Sequence, residues 1–278
     1  MIIKLKKILI FLKRKILNEH ILIDENSIKK PIASKSHYIK LFKEASNFVD
    51  TNVIELEKKL GHQIPKKWID DLALHTQICV KKSKINYNHG RILYSVLKNY
   101  LHNFKEKNQD NNILILETGT ARGFSAICMA KAINDTPEVS GKIITIDLLP
   151  TDIPMYWNII DDHEKKKTRN ELLSQWPKEL SKIKFIKGKT NTVLKKINIE
   201  RINFAFLDAE HEYNSVIDEY LFLKNKQKKD DIIFFDDVTP KKFPGVVQAI
   251  NQIKKEGYYS VEFLNFTEER AYALAKKL

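Results

Sequence analysis

An α/β fold, a doubly wound and mostly parallel sheet with helices on both faces, is the architecture that this 278-residue chain predicts. Three observations predict it. Short apolar runs of strand type recur at residues 113–116, 142–146, 184–186, 203–207 and 232–235, and helical apolar spacing fills most of the intervals. The first run leads through a two-glycine loop straight into a helical stretch, ILILETGTARGFSAICMA. Nearly every run ends in a carboxylate. Strands that alternate with helices pair in parallel through right-handed crossovers, so those carboxylates gather on one edge of the sheet.

The elements follow in chain order. Residues 1–17, MIIKLKKILIFLKRKIL, put Ile2, Leu5, Ile8, Leu9, Leu12 and Ile16 on one helical face and Lys4, Lys6, Lys7, Lys13, Arg14 and Lys15 over much of the rest. Two readings stay open: peripheral contact with an anionic membrane surface, or docking on the body of the protein or a second subunit in a homo-oligomer. The ILIFL core is short for a secretory segment and no small-residue cleavage site follows, which argues against export. Residues 18–50 read as a polar linker or loosely packed lead-in. Helical patterns follow at 53–60, at 65–80 with Trp68, Leu72 and Leu74, and at 89–104 with Leu93, Val96, Leu97, Tyr100 and Leu101 on one stripe. Residues 1–85 therefore form a helical N-terminal extension and residues 86–278 the sheet domain. At the end, 259–266 and 270–275 flank the turn TEE as a hairpin, an antiparallel pair at the sheet edge.

Composition is globular, 43% hydrophobic and 30% charged. No run of about 18 apolar residues marks a membrane span. Cys79 and Cys128 are isolated, which points to a reducing, cytoplasmic setting with neither a disulfide framework nor a cysteine metal site. The net charge of +13 comes mostly from lysine and suits anionic partners, or reflects a compositional bias toward Ile, Asn and Lys. Without an aromatic RNA-binding motif, a zinc finger or an arginine stripe, nucleic acid is the disfavoured partner.

The rim carries the chemistry. The loop is G-T-A-R-G, with Ala121 where a dinucleotide fingerprint needs a glycine for its pyrophosphate, and Glu117 sits just before the turn. Both features disfavour a diphosphate and suit a cofactor with a cationic or neutral head; the alternative is a tight turn common to any α/β protein. Asp147 closes the second strand 30 positions after Glu117, where a carboxylate accepts hydrogen bonds from ribose hydroxyls. Asp208 ends the fourth run, and Asp236 and Asp237, 28 and 29 positions on, end the fifth. Three such carboxylates in one cleft repel unless a hard cation such as Mg²⁺ joins them; the alternative for Asp236 or Asp237 is capping the turn before Pro240. His211, three positions past Asp208, is a candidate general base, with Glu210 as its substitute.

Together these residues resemble the class I S-adenosylmethionine-dependent methyltransferases. LDAEHEYNSVIDEY followed by IIFFDD is similar to the bacterial branch with a D-G-D-H-S-Y type motif and, in its carboxylate spacing, to the metal-dependent catechol, caffeoyl-CoA and macrolide-sugar O-methyltransferases. The resemblance covers about residues 89–277 and implies a Rossmann-like domain. It implies that Glu117, Gly119, Thr120, Ala121, Gly123, Phe124 and Ser125 surround the methionine part of S-adenosylmethionine, that Asp147 and Asp208 complete the cofactor site, and that Asp208, Asp236 and Asp237 hold the metal. His211 falls where relatives carry a lysine base, and Lys189 where many carry an acid near the adenine. The implied reaction is direct: an acceptor hydroxyl loses its proton to His211 and its oxygen attacks the sulfonium methyl in line. The acceptor is a small molecule or glycan, and the N-terminal helices form its lid. Three other readings compete. A nicotinamide oxidoreductase needs a second glycine contact that is missing; a non-catalytic binding module shares the fold; a nucleic-acid methyltransferase lacks its N-P-P-Y motif here.

Overall fold

The computed structural model describes residues 29–107, 111–267 and 270–278, so the basic amphipathic segment 1–17 lies outside the described residues. Among the described residues four helices come first: α1 (Lys35–Ser46), α2 (Thr51–Leu60), α3 (Lys66–Thr76) and α4 (Asn88–Lys107). The expected linker at 18–50 is corrected by α1, which starts where the Ser34 hydroxyl accepts from the His37 N–H. Its one buried side chain is Tyr38, whose hydroxyl donates to Asn158 Oδ1 at 3.1 Å. Leu41, Phe42 and Ala45 are only partly buried against the core, so the helix has a weak apolar stripe to read. Asp50 caps α2, and Gly61 ends it in the left-handed region that favours glycine. α3 stops at Thr76, short of the expected Val80, because the Val80 backbone instead pairs with the Asn158 side chain, N–H to Oδ1 at 3.1 Å and carbonyl from Nδ2 at 2.8 Å.

The sheet domain runs β1 (Asn112–Thr118), α5 (Phe124–Asn134), β2 (Ser140–Asp147), α6 (Arg169–Leu172), α7 (Pro177–Leu180), β3 (Ile183–Lys187), α8 (Thr190–Leu194), β4 (Phe204–Leu207), α9 (Tyr213–Lys224), β5 (Ile232–Phe235), α10 (Pro244–Glu256), β6 (Tyr259–Thr267) and β7 (Arg270–Lys277). Seven strands form one sheet in the order β3-β2-β1-β4-β5-β7-β6. The first five are parallel and the final hairpin is antiparallel, as the sequence predicts.

Alternation along β1 divides the core. Ile113 and Ile115 face a cluster with Tyr38, Leu97, Ile127, Phe204 and Phe234, which continues into the N-terminal helices. Leu116 faces the other side, with Leu207, Tyr220, Phe235 and Ile250 beneath α9 and α10. The register sets the rim: Glu117 lies opposite Thr145 and Phe206, Thr118 opposite Leu207, and Leu207 opposite Phe235. The residues that follow each strand therefore emerge side by side.

Residues 148–182, between β2 and β3, make an irregular excursion where one crossover helix would serve. It holds a 3-10 turn (Ile160–His163), the short α6 and α7, a Met155–Lys167 bridge and its own small cluster of Met155, Trp157, Ile159 and Leu172.

Candidate active site

The glycine loop is pressed against the end of β4. Gly119 has φ +89°, and a Cβ there would lie 2.0 Å from the Asp208 carbonyl oxygen, so only glycine allows the approach. Gly123, at φ +90°, begins α5. Ala121 between them also has a positive φ, +45°, unusual for a residue with a side chain. Two hydrogen bonds hold it: its N–H donates to Asp147 Oδ2 at 2.6 Å, and its carbonyl accepts from Arg169 Nε at 3.0 Å. Asp147 Oδ1 accepts from the Leu149 N–H at 2.6 Å, so both carboxylate oxygens brace loops and keep further lone pairs for a ligand hydroxyl.

Glu117 is fully buried, and its oxygens accept hydrogen bonds from the Ser125 and Thr145 hydroxyls. Burial pushes its carboxyl up to about 7, with the two hydroxyls opposing the shift. It therefore stands behind the loop, with its hydrogen bonds turned to the protein. Thr120 joins this network through Thr145, and the Phe124 ring packs edge-on against His89 with centroids 4.8 Å apart.

The acidic half of the rim is held by charge. His211 stacks on Phe243 with ring centroids 4.2 Å apart, which orients Nε2 3.1 Å from Asp237 Oδ2 and 3.7 Å from Asp208 Oδ1. Burial disfavours a charged ring, but the two carboxylates outweigh it and push the imidazole up to about 10. Arg270, on β7, brings NH1 to 3.3 Å from Asp237 Oδ1 and 3.7 Å from Asp236 Oδ1. Asp236 is buried and accepts from the Asp237 N–H at 2.6 Å; burial, with Asp208 and Asp237 beside it, pushes its carboxyl well up. Asp237 itself sits at φ +55°, the left-handed turn that aims its side chain back at His211. Glu210 accepts from the Ser215 hydroxyl at 2.6 Å and faces the exposed Lys189 ammonium at 3.8 Å.

Asp208, His211 and Asp237 each offer a ligand atom, and all three atoms lie within 4.8 Å of one another. His211 Nε2 is buried and, despite its short contacts, has no well-directed hydrogen bond. Two carboxylates and an imidazole suit a divalent cation: Mg²⁺ on the oxygens alone, Mn²⁺ or Zn²⁺ with the ring included. Asp236 is not part of that triplet.

Four of these side chains lie outside the residues that the sequence pattern singles out. Arg169, fully buried, comes from the irregular excursion and ties the glycine loop to residues 149–151. Arg270 begins an edge strand. Thr145 is one residue of a strand, marked only by being polar at a buried position. Glu219, on α9, lies buried below the rim near Thr118, its carboxyl pushed up to about 8 by burial. A cavity of about 570 Å³ lies elsewhere, lined by α1, α2, α3 and the start of α4.

Residues 116–238 match the methyltransferase-domain family. No curated protein matches the chain in sequence. Among solved structures, an O-methyltransferase from Bacillus cereus in complex with SAH is similar to 87% of this chain and 100% of its own, at TM-score 0.51 and 14% identity. The O-methyltransferase TomG from Streptomyces achromogenes, involved in tomaymycin synthesis and solved in complex with SAM, covers 88% of this chain and 99% of its own, at TM-score 0.50 and 12% identity. A putative O-methyltransferase from Klebsiella pneumoniae gives TM-score 0.50 and 17% identity, covering 87% of this chain and 96% of its own. At these identities the likeness is one of fold.

Proposed function

The chain carries a class I S-adenosylmethionine-dependent methyltransferase domain, and from that premise we propose that it transfers a methyl group to a hydroxyl of a small molecule or sugar with the help of a divalent cation. The observation that carries this reading is the convergence of Asp208, His211 and Asp237 beside the strained glycine loop. In this reading the loop from Gly119 to Gly123, with Phe124 and Ser125 at the start of α5, cradles the methionine end of the cofactor. Asp147 accepts from the ribose hydroxyls, and Asp208 borders the same pocket. Glu117 acts from behind, fixing Ser125 and Thr145 through their hydroxyls. With Lys189 exposed and turned to Glu210, adenine recognition falls to other groups.

A divalent cation between Asp208 and Asp237, with Asp236 beside them, would supply Lewis acidity toward the acceptor hydroxyl and would replace the ring proton of His211 as the carboxylates' counter-charge. His211 receives the hydroxyl proton, because Glu210 is committed to Ser215 and Lys189. S-adenosylmethionine held in that cradle would supply the sulfonium methyl to the acceptor oxygen, with S-adenosylhomocysteine as the leaving group. Most of the acceleration comes from alignment of nucleophile and methyl. The acid pair favours this hydroxyl chemistry over methylation of a nucleic-acid base. Residues 1–85 would supply the lid and acceptor wall of a domain spanning 86–278.

Calorimetric titration of S-adenosylhomocysteine, with and without Mg²⁺ or Mn²⁺ and beside NAD, tests the reading. Selective micromolar binding is expected. Absence of binding under every condition would leave a non-catalytic module on this fold as the better account.

A further inference from the structure

One cation near the rim has no work in the chemistry above. Lys81 lies in the irregular segment between α3 and α4, half-buried, and makes neither an ion pair nor a side-chain hydrogen bond among the described residues. Its position is fixed by its neighbour, since the Val80 backbone is clamped by Asn158 through both N–H and carbonyl. The residue before Asn158 holds a second cation: the Trp157 carbonyl accepts from Arg122 Nε at 2.6 Å. That bond leaves the terminal nitrogens of Arg122 without a hydrogen bond among the described residues. Arg270 comes from the opposite side, against Asp236 and Asp237.

Three cations from three separate parts of the chain thus lie close enough to feel one another's charge, with Asp237 of the acidic half beside them. Burial lowers the Lys81 ammonium from its ordinary range; Cys79 and Asp237 counter this, and Arg270 and Arg122 add to it. The surrounding charges are shared out already. Asp162 faces Arg122 but is tied to the Trp157 and Ile159 N–H groups, and Asp237 is shared between Arg270 and His211. A half-buried cation among other cations is costly unless an anion joins it. The glycine loop that bears Arg122 is the proposed cradle for the cofactor's methionine, whose own carboxylate is one anion available here; Lys81 belongs to the extension proposed as the acceptor wall and interacts with Arg270 and Asp237 of the acidic half, so the anion it meets is assigned to the acceptor.

We propose that Lys81 and Arg122, backed by Arg270, form an anion subsite, so that the acceptor carries a carboxylate or phosphate close to the hydroxyl that is methylated. The inference rests on the methyltransferase reading and names the substrate class within it. The fork of Arg122 and the point charge of Lys81 suit either anion. The lysine-rich N-terminal extension would then contribute specificity through one residue at its inner end.

The test uses the whole chain loaded with S-adenosylhomocysteine and Mg²⁺, and three probes of one shape: catechol, 3,4-dihydroxybenzoate and 3,4-dihydroxyphenylphosphonate. Calorimetry or ligand-detected NMR should show at least one anionic probe binding about tenfold or more tightly than catechol, the scale of one charged hydrogen bond. Lys81→Gln should reduce that preference to within about threefold, and Lys81→Arg should retain most of it. Unchanged S-adenosylhomocysteine affinity and circular dichroism in both variants exclude misfolding. Equal affinity for the three probes, binding of none, or a preference that survives Lys81→Gln overturns the subsite. Failure of S-adenosylhomocysteine to bind the wild-type chain overturns the methyltransferase reading itself, and the probes are titrated without it as well to separate the two failures.

Discussion

The two halves of the rim are built by different means. Around Glu117 and Asp147 each carboxylate oxygen accepts from a hydroxyl or backbone N–H, of Ser125, Thr145, Ala121 or Leu149, and the buried Arg169 guanidinium adds only a long ion pair to Asp147 at 4.0 Å. Around Asp208, Asp236 and Asp237 the balance is made by full charges, His211 and Arg270. A hydrogen-bonded half is complete before any ligand arrives and resists salt. A half balanced by movable charges can trade them for a cation or a charged substrate, and remains sensitive to ionic strength. In the proposed function the first half holds the cofactor and the second carries the reaction.

The largest expected effect tests that division directly. Asp237→Ala removes a carboxylate that faces both His211 and Arg270, and methyl transfer should fall on the order of a thousandfold. S-adenosylhomocysteine affinity, read by calorimetry, should change by less than about threefold. If affinity fell as far as rate, the two halves would not be separate and the comparison would fail.

Gly119→Ala attacks the seam between them. The new methyl would overlap the Asp208 carbonyl, and the φ of +89° would add strain, so loop and strand must part. A stability loss of about 2–4 kcal/mol is expected, with cofactor affinity down by about a hundredfold. Thermal unfolding with and without S-adenosylhomocysteine separates the two contributions. Arg169→Met is milder. It keeps most of the buried volume beside Trp157 and Phe185 but leaves the Ala121 carbonyl without its donor. A cost of about 1–3 kcal/mol, expressed mainly as weaker cofactor binding, follows from the Ala121 carbonyl left unmet and the longer bonds to Thr151 and Leu149 lost. An unaltered affinity would show that Ala121 holds its strained turn through Asp147 alone.

These variants also mark what could be read from the sequence. The strand runs and their terminal carboxylates were legible because period-2 burial and parallel connection leave few other arrangements for such a pattern. Glu117, Asp147, Asp208 and Asp237 therefore came to one edge as expected. What periodicity did not carry was hidden. Arg169 and Asn158 act from the 148–182 excursion, where the chain is fixed by bonds from single side chains. Helix α1 has one fully buried side chain, Tyr38, and the place of Lys81 is set by Val80, which is pinned to a partner 78 positions away in sequence. Arg270 opens a strand whose pattern predicts pairing and says nothing of the acids across it. Local pattern reports elements; a contact between irregular segments leaves no local pattern.

The smallest effect tests the hydrogen-bonded half through pH. The Glu117 carboxyl rises from 4.5 to about 7 on folding because burial penalises its charge more than Ser125 and Thr145 relieve it. The folded state thus binds the proton more tightly than the unfolded chain. Stability associated with this group is greatest below the unfolded value and declines as pH rises from 4.5 to about 7, by roughly 3 kcal/mol in all. Glu219, at about 8, adds a decline of the same sign that extends higher. Glu117→Gln has the same shape and no charge to desolvate, while its carbonyl still accepts from one hydroxyl. Denaturant unfolding at pH 5 and pH 8 should show the variant equal to or weaker than wild type in acid and more stable by about 1–2 kcal/mol in base, less than the full term because one hydroxyl must find a new acceptor. Glu219 keeps a residual slope in the variant. Parallel pH profiles for the two proteins would mean that Glu117 is charged throughout, and the cofactor half would then be balanced by charge like its neighbour.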